Sequence, residues 1–179
     1  GNWSGALKLA QHDEHDGRLP LTWQLKLAQL YGRQGDVAHA VALIDNAYAQ
    51  DGSLRDGFAR LGWLQSNAGH WQDALDIARR DEDAGRLTPT RQVNLAQLYG
   101  RQGTFAHAVS LIESAYREDK DLRDGFGHLG GKKLQAGNLP GAIELATRDQ
   151  AEHRLSASGL ILLALMHGHG KDFEQATNL

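Results

Sequence analysis

The 179-residue chain contains no cysteine. Disulfide staples and thiolate zinc sites are excluded, and the redox state of the compartment leaves no trace in the composition. Proline is nearly absent too, with 3 residues against 21 glycines. That ratio suits many helix–turn junctions and argues against a disordered, proline-rich chain. No apolar run approaches the roughly 18 residues that a membrane-spanning helix requires. The best stretch, "LILLALM" at 160–166, is far too short. Nor does one sign of charge dominate. Nineteen Lys and Arg face 22 Asp and Glu, for a formal net charge of −3, and the signs are interspersed along the chain. No basic face stands out, so no electrostatic case exists for binding DNA or RNA through phosphates. What remains is 41% hydrophobic and 23% charged, the balance of a folded domain.

What is present is repetition. "LAQLYGRQG" at 27–35 returns letter for letter at 95–103. Aligning 21–88 with 89–156 without gaps gives 35 identities in 68 positions. "AHAV" at 38–41 returns at 106–109, and "LRDGF" at 54–58 at 122–126. Each 68-residue block splits again. "GDVAHAVALI" begins at Gly35 and "GHWQDALDIA" at Gly69. "GTFAHAVSLI" begins at Gly103 and "GNLPGAIELA" at Gly137. The chain opens on the same theme with "GNWSGALKLA", so five copies stand at 34-residue spacing. A weaker sixth start is "GKDFEQA" at 170–176.

Between these segments runs a second pattern. Leu27, Leu30 and Tyr31 sit at i, i+3 and i+4, as do Leu95, Leu98 and Tyr99. Such spacing marks an apolar stripe on a helix. Val37, Ala40, Val41 and Ile44 do the same after the glycine. Each 34-residue repeat therefore predicts two helices joined by a tight turn. Gly35, Gly69, Gly103 and Gly137 supply the turn, where a left-handed backbone costs glycine least. Pro140 falls in the first turn of a helix, where its missing N–H does no harm. Pro20 and Pro89 are read as ending the preceding helices. Trp3 and Trp71, which stand where Val37 and Phe105 do, are expected in the core. His39 and His107 are expected to face outward.

A 34-residue helix–turn–helix with these landmarks resembles the tetratricopeptide repeat (TPR). Leu27-Ala28 precedes Tyr31, and Leu95-Ala96 precedes Tyr99. Leu61-Gly62 and Leu129-Gly130 follow Phe58 and Phe126. The small residue of the second helix is Ala6, Ala40, Ala74, Ala108 and Ala142 in turn. The closing proline is missing, with Gly52, Arg86, Lys120 and Arg154 in its place. The resemblance is thus to a divergent array with two alternating repeat types. It implies an all-α, right-handed α-solenoid, with repeats at 21–54, 55–88, 89–122 and 123–156 and partial ones at 1–20 and 157–179. The chain reads as a piece of a longer array.

One hairpin cannot bury its apolar face alone, whereas stacked hairpins cover one another. The recurrence of Leu27, Tyr31, Ala40 and Ile44 is first a packing requirement. The polar "GRQG" needs something more. In TPR proteins the first helix of each repeat lines a concave groove that holds extended partner segments. Carried over by position, the resemblance places Gln29 and Arg33 in that groove, then Asp56, Trp63 and Asn67, then Gln97 and Arg101, and then Asp124 and Gln135. The implied picture is an alternating Arg–Asp ladder. The alternative is that these residues pair with one another and tune stacking. Trp63, whose counterpart is Gly131, is either a stacking platform for a ligand or tucked between helices.

Catalytic and metal constellations are thin. "HDEHD" sets His12 and His15 beside acids, where the other copies read "RDEDAG" and "RDQAEH", so a solvated helix end is expected. "HGHGK" at 167–171 lacks the glycine spacing and Ser/Thr of a phosphate loop and reads as a plain turn. No catalytic residue, metal or cofactor is expected. The expected function is a non-catalytic scaffold binding a protein partner as a peptide or extended segment. Its expected setting is a bacterial envelope or exopolysaccharide-export assembly, with contact to polysaccharide machinery and a periplasmic location. The alternative is a regulatory segment of a larger enzyme such as a glycosyltransferase. No nucleic-acid partner and no membrane span in this chain are expected.

Overall fold

The computed structural model describes residues 8, 12–14 and 16–178. Trp3, Ala6 and His15 lie outside the described residues. Helices α1 (Leu21–Gln34), α2 (Val37–Gln50), α3 (Gly57–Asn67) and α4 (Trp71–Asp83) form one compact unit, Gly1–Leu87. The second, Thr88–Leu179, holds α5 (Pro89–Gln102), α6 (Phe105–Glu118), α7 (Gly125–Gln135), α8 (Leu139–Ala151), α9 (Ala157–His169) and α10 (Phe173–Thr177). No strand occurs among the described residues. The division falls at the 68-residue duplication. The fold is all-α, a tandem array of helical hairpins of the α-solenoid class. Odd-numbered helices are the first helices of their repeats and even-numbered ones the second.

The turn glycines behave as the pattern predicts. Gly35, Gly69, Gly103 and Gly137 all have positive φ, between 81° and 95°. At the end of α1, Gly35 N–H donates to Gly32 O and Asp36 N–H to Tyr31 O, the paired bonds that close a Schellman-type C-terminus. The next helix is then capped within two residues. Asp36 accepts from His39 N–H at 3.1 Å and Asn138 from Gly141 N–H at 2.9 Å. Pro140 lies in the first turn of α8, as expected. Pro89 differs from expectation, because it opens α5 at its first position instead of closing α4. Its fixed φ and missing N–H suit a helix start.

The core is built from the apolar stripes. Leu27, Leu61, Leu95, Leu129 and Leu163 recur at one register position and are all buried. Full burial of such a side chain stabilises by about 1.5–3 kcal/mol. Ala40, Ala74, Ala108 and Ala142 are all fully buried, which lets paired helices approach closely. A Cβ placed on Gly62 would lie 2.5 Å from Ala74 O, and one on Gly130 would lie 2.7 Å from Ala142 O. Tyr31 and Tyr99 are buried, as their placement predicts. Trp71 corrects an expectation: it is 39% exposed, because at the first position of α4 only one side of its ring meets the hairpin. His39 is also placed differently. It is half-buried and stacks on Tyr31 with ring centroids 4.1 Å apart, while its Nε2 lies 2.9 Å from Glu14. His107 is exposed, with its ring edge-on to Tyr99.

Candidate partner-binding face

The 34-residue register brings equivalent positions of the odd-numbered helices into correspondence. Gln29 on α1 and Trp63 on α3 hold one position, and Gln97, Gly131 and Leu165 hold it on α5, α7 and α9. One turn further on stand Arg33 and Asn67, then Arg101, Gln135 and His169. In the first unit Gln29 is half-buried and donates to Leu25 O at 3.3 Å, while Trp63 is half-buried and Arg33 and Asn67 are exposed. Gln65, which sequence reasoning passed over, is buried and donates through Nε2 to Gly32 O at 3.0 Å, tying α3 to α1. In the second unit Gln97 and Gln135 meet at one cavity of about 250 Å³, with His128, Gly131, Lys132, Leu134 and Leu162. The absent side chain of Gly131, in register with the indole of Trp63, leaves that hollow open.

Asp56 and Asp124 do not lie on an open face, which corrects the expected Arg–Asp ladder. They are 3% and 8% exposed. Each precedes its helix in the left-handed region, with φ of 64° and 60°. Aspartate tolerates that conformation better than most residues. Asp124 Oδ1 accepts from Ser156 N–H at 2.8 Å, and its own N–H donates to Arg154 O at 3.0 Å. Asp56 N–H donates likewise to Arg86 O at 3.2 Å. "LRDGF" is repeated because it braces one hairpin against the loop that follows the next helix.

A second duplicated device was not foreseen. Tyr48 hydroxyl accepts from Gly57 N–H at 2.6 Å and donates to Asp81 Oδ1 at 2.7 Å, while Asp81 Oδ2 accepts from Ala59 N–H at 2.8 Å. In the second unit Tyr116, Gly125, Asp149 and Gly127 make the same three bonds at 2.7, 2.7 and 2.9 Å. Asp81 and Asp149 are completely buried, yet their oxygens meet the free N–H groups at the start of α3 and α7. Burial pushes both carboxyls above the usual range, and the backbone and tyrosine hydrogen bonds pull back against it. Burial and the facing carboxylate push both tyrosines upward as well. Around each clamp Arg80 and Arg148 lie 3.9 Å from the Phe58 and Phe126 ring centroids. They also pair with Asp45 and Glu113 at 2.7 Å. The Tyr, Gly, Asp, Arg and Phe of the device recur 68 positions apart, while Ala59 becomes Gly127 and Asp45 becomes Glu113.

Among the described residues no group of three or more His, Asp or Glu converges to hold a metal. His12 is an exposed neighbour of Asp16 at 3.7 Å. "HGHGK" is not all turn as expected: His167, Gly168 and His169 end α9, and Gly170 and Lys171 make the turn, where Asp172 N–H donates to His167 O. No helix among the described residues is long and apolar enough to cross a membrane.

Helices α1, α3, α5, α7 and α9 carry Lys26, Arg33, Arg60, Arg91, Arg101, Lys132 and Lys133, and no Asp or Glu. Half of the chain's acids sit on the even-numbered helices, five of them on α4 alone.

No protein-family model matches the chain. No curated protein matches it in sequence. Solved structures match it in fold. One is YrrB, described as a TPR protein with an unusual peptide-binding site, at 13% identity and TM-score 0.59, over 99% of this chain and 88% of that one. Another is the APC/C hetero-tetramer Cut9–Hcn1, at 13% identity and TM-score 0.60, over 97% of this chain. The chain spans only 35% of that protein's length. A third is the C-terminal part of a TPR repeat-containing protein from Cytophaga hutchinsonii, at 14% identity and TM-score 0.56, over 86% of this chain and 61% of that one. The chain has the fold of tetratricopeptide-repeat proteins.

Proposed function

We propose that this chain is a non-catalytic interaction scaffold that binds an extended segment of a protein partner along its odd-numbered helices. The observation carrying this reading is the cavity at Gln97, Gly131 and Gln135, an open hollow with amide side chains at its edge. Amides offer donors and acceptors to a peptide backbone without requiring a particular side chain. Arg101 in the second unit, and Gln29, Arg33, Trp63 and Asn67 in the first, hold equivalent register positions within their own units. The peptide-binding site in the description of YrrB supports the reading. For its setting we carry forward the bacterial envelope or exopolysaccharide-export assembly, with the regulatory segment of a glycosyltransferase as the alternative.

The test is a random-peptide phage library panned on the immobilised chain. Enriched peptides are then measured against the Gln97→Ala/Gln135→Ala double variant. Loss of about tenfold or more in affinity is expected, the scale of one good interfacial contact. Enriched peptides that bind the double variant equally well would move the site away from this face.

A further inference from the structure

Resting on that reading, we propose that the cavity in the second unit takes one large apolar side chain from a partner segment whose neighbouring residues are acidic. Two independent features converge on it. The first is shape. A closed apolar cavity of about 150 Å³ already accommodates benzene. The hollow at Gly131 measures about 250 Å³ and has Leu134 and Leu162 in its wall. The register-equivalent residue in the first unit is Trp63, so an indole is the side chain this position of the repeat already carries. A Cβ added at Gly131 would meet only Leu162 Cδ2, at an ordinary 3.5 Å. Nothing of the backbone fills the space.

The second feature is charge. Helices α5, α7 and α9 contribute Lys132, Arg101 and His128 to or near this rim and no carboxylate at all. Lys132 lines the cavity itself and is partly buried. Burial and the field of Arg101 hold its ammonium below the usual lysine range. Among the described residues neither Lys132 nor Arg101 has a carboxylate within 4.0 Å, in a chain whose net charge is −3. Two like charges that each lack a counter-ion, beside a hollow with Leu134 and Leu162 in its wall, are complementary to an acidic segment with an apolar anchor. A single-stranded nucleic acid fits less well. Its tight binding draws on a track of cations along a charged backbone, with bases stacked on aromatic rings. No Phe, Tyr or Trp lines this cavity, and His128 is its one ring.

The test uses the chain as it stands and a fluorescein-labelled peptide with the core Glu-Glu-Trp-Glu-Glu, read by fluorescence anisotropy. We expect saturable binding that weakens steeply between about 50 mM and about 300 mM salt. Replacing the peptide's Trp by Gly should weaken it about tenfold or more. Filling the hollow from the protein side with Gly131→Trp should do the same. Circular dichroism confirms that this variant folds, since the first unit carries Trp at the matching position. Lys132→Ala combined with Arg101→Ala should weaken binding and flatten the salt dependence. The proposal is overturned if Gly131→Trp leaves affinity unchanged, or if the peptide does not bind. It is equally overturned if Lys-Lys-Trp-Lys-Lys binds as well as the acidic peptide, or if a short poly-dT oligonucleotide binds more tightly in a Gly131→Trp-sensitive way. The scaffold reading fails separately: basic or neutral peptides enriched by panning that depend on Gln97 and Gln135 would leave it standing while sinking the acidic partner.

Discussion

Replacing Asp149 by Ala removes the hub of the second clamp, and the structure sets the scale of the loss. Two donors are orphaned: the Tyr116 hydroxyl, at 2.7 Å, and Gly127 N–H, at 2.9 Å. Each buried donor left without an acceptor costs about 1–3 kcal/mol. Against this, the carboxylate pays for its own burial, as its raised pKa records, and the variant escapes that cost. The balance is a loss of about 2–4 kcal/mol, near the lower half of the summed range. Urea denaturation followed by circular dichroism measures it, and hydrogen exchange at Gly127 localises it. Asp81→Ala is the internal control. The three bonds of its clamp match those of the second clamp to within 0.1 Å, so its cost should agree. Tyr116→Phe breaks two of the three bonds but leaves Asp149 with Gly127, and should cost about 1–2 kcal/mol. A loss below about 1 kcal/mol for both aspartates would refute the argument, because buried donors would then be satisfied without them.

Acidity probes the same group. Because burial raises the folded-state pKa of Asp149, the folded chain holds its proton more tightly than the unfolded chain. As pH falls from neutral towards the ordinary carboxyl value of 3.8, the wild type should therefore gain stability relative to Asp149→Asn. A pH-independent difference in urea midpoints would contradict this. Tyr31→Ala and Tyr99→Ala, at 7% and 5% exposure, should each cost about 3–5 kcal/mol in chemical denaturation. A loss under about 1 kcal/mol would mean that the rings do not pack. Glycine substitutions should sort by cause. Gly62→Ala meets Ala74 O at 2.5 Å and should cost about 1–3 kcal/mol through overpacking. Gly69→Ala meets open space at φ 95° and should lose about 1 kcal/mol through backbone strain alone. Equal losses at the two sites would undo the distinction.

The period, the turn glycines and the burial of Tyr31 and Tyr99 were legible because each follows from local spacing. Repetition of letters was also visible at Asp56 and Asp124, but its meaning was not. Position along a first helix suggested an open face, whereas a left-handed backbone draws both carboxylates inward. Trp71 shows the reverse error. Its register with Val37 and Phe105 suggested the core, but the first residue of a helix has neighbours on one side only. The Tyr48–Asp81 and Tyr116–Asp149 clamps join residues 33 positions apart, a pairing that no helical period encodes. In the sequence Gly131 is only the counterpart of Trp63, and the walls supplied by Leu134 and Leu162 turn it into a cavity.

The clamps also constrain how the chain reaches this fold. Their bonds close loops of 9, 22 and 33 residues, and the Arg80–Asp45 and Arg148–Glu113 pairs close loops of 35. None of the hydrogen bonds described above asks distant parts of the chain to find each other first. Loop-closure entropy grows only with the logarithm of length, so each step costs nearly the same. Assembly can then start in either half of the duplication and spread to the adjacent hairpin, with speed set by local encounters. Such a chain comes apart gradually as well. Under mechanical pull or partial denaturation it should release hairpins one after another, so that a partner held on one hairpin can stay bound while another has already let go.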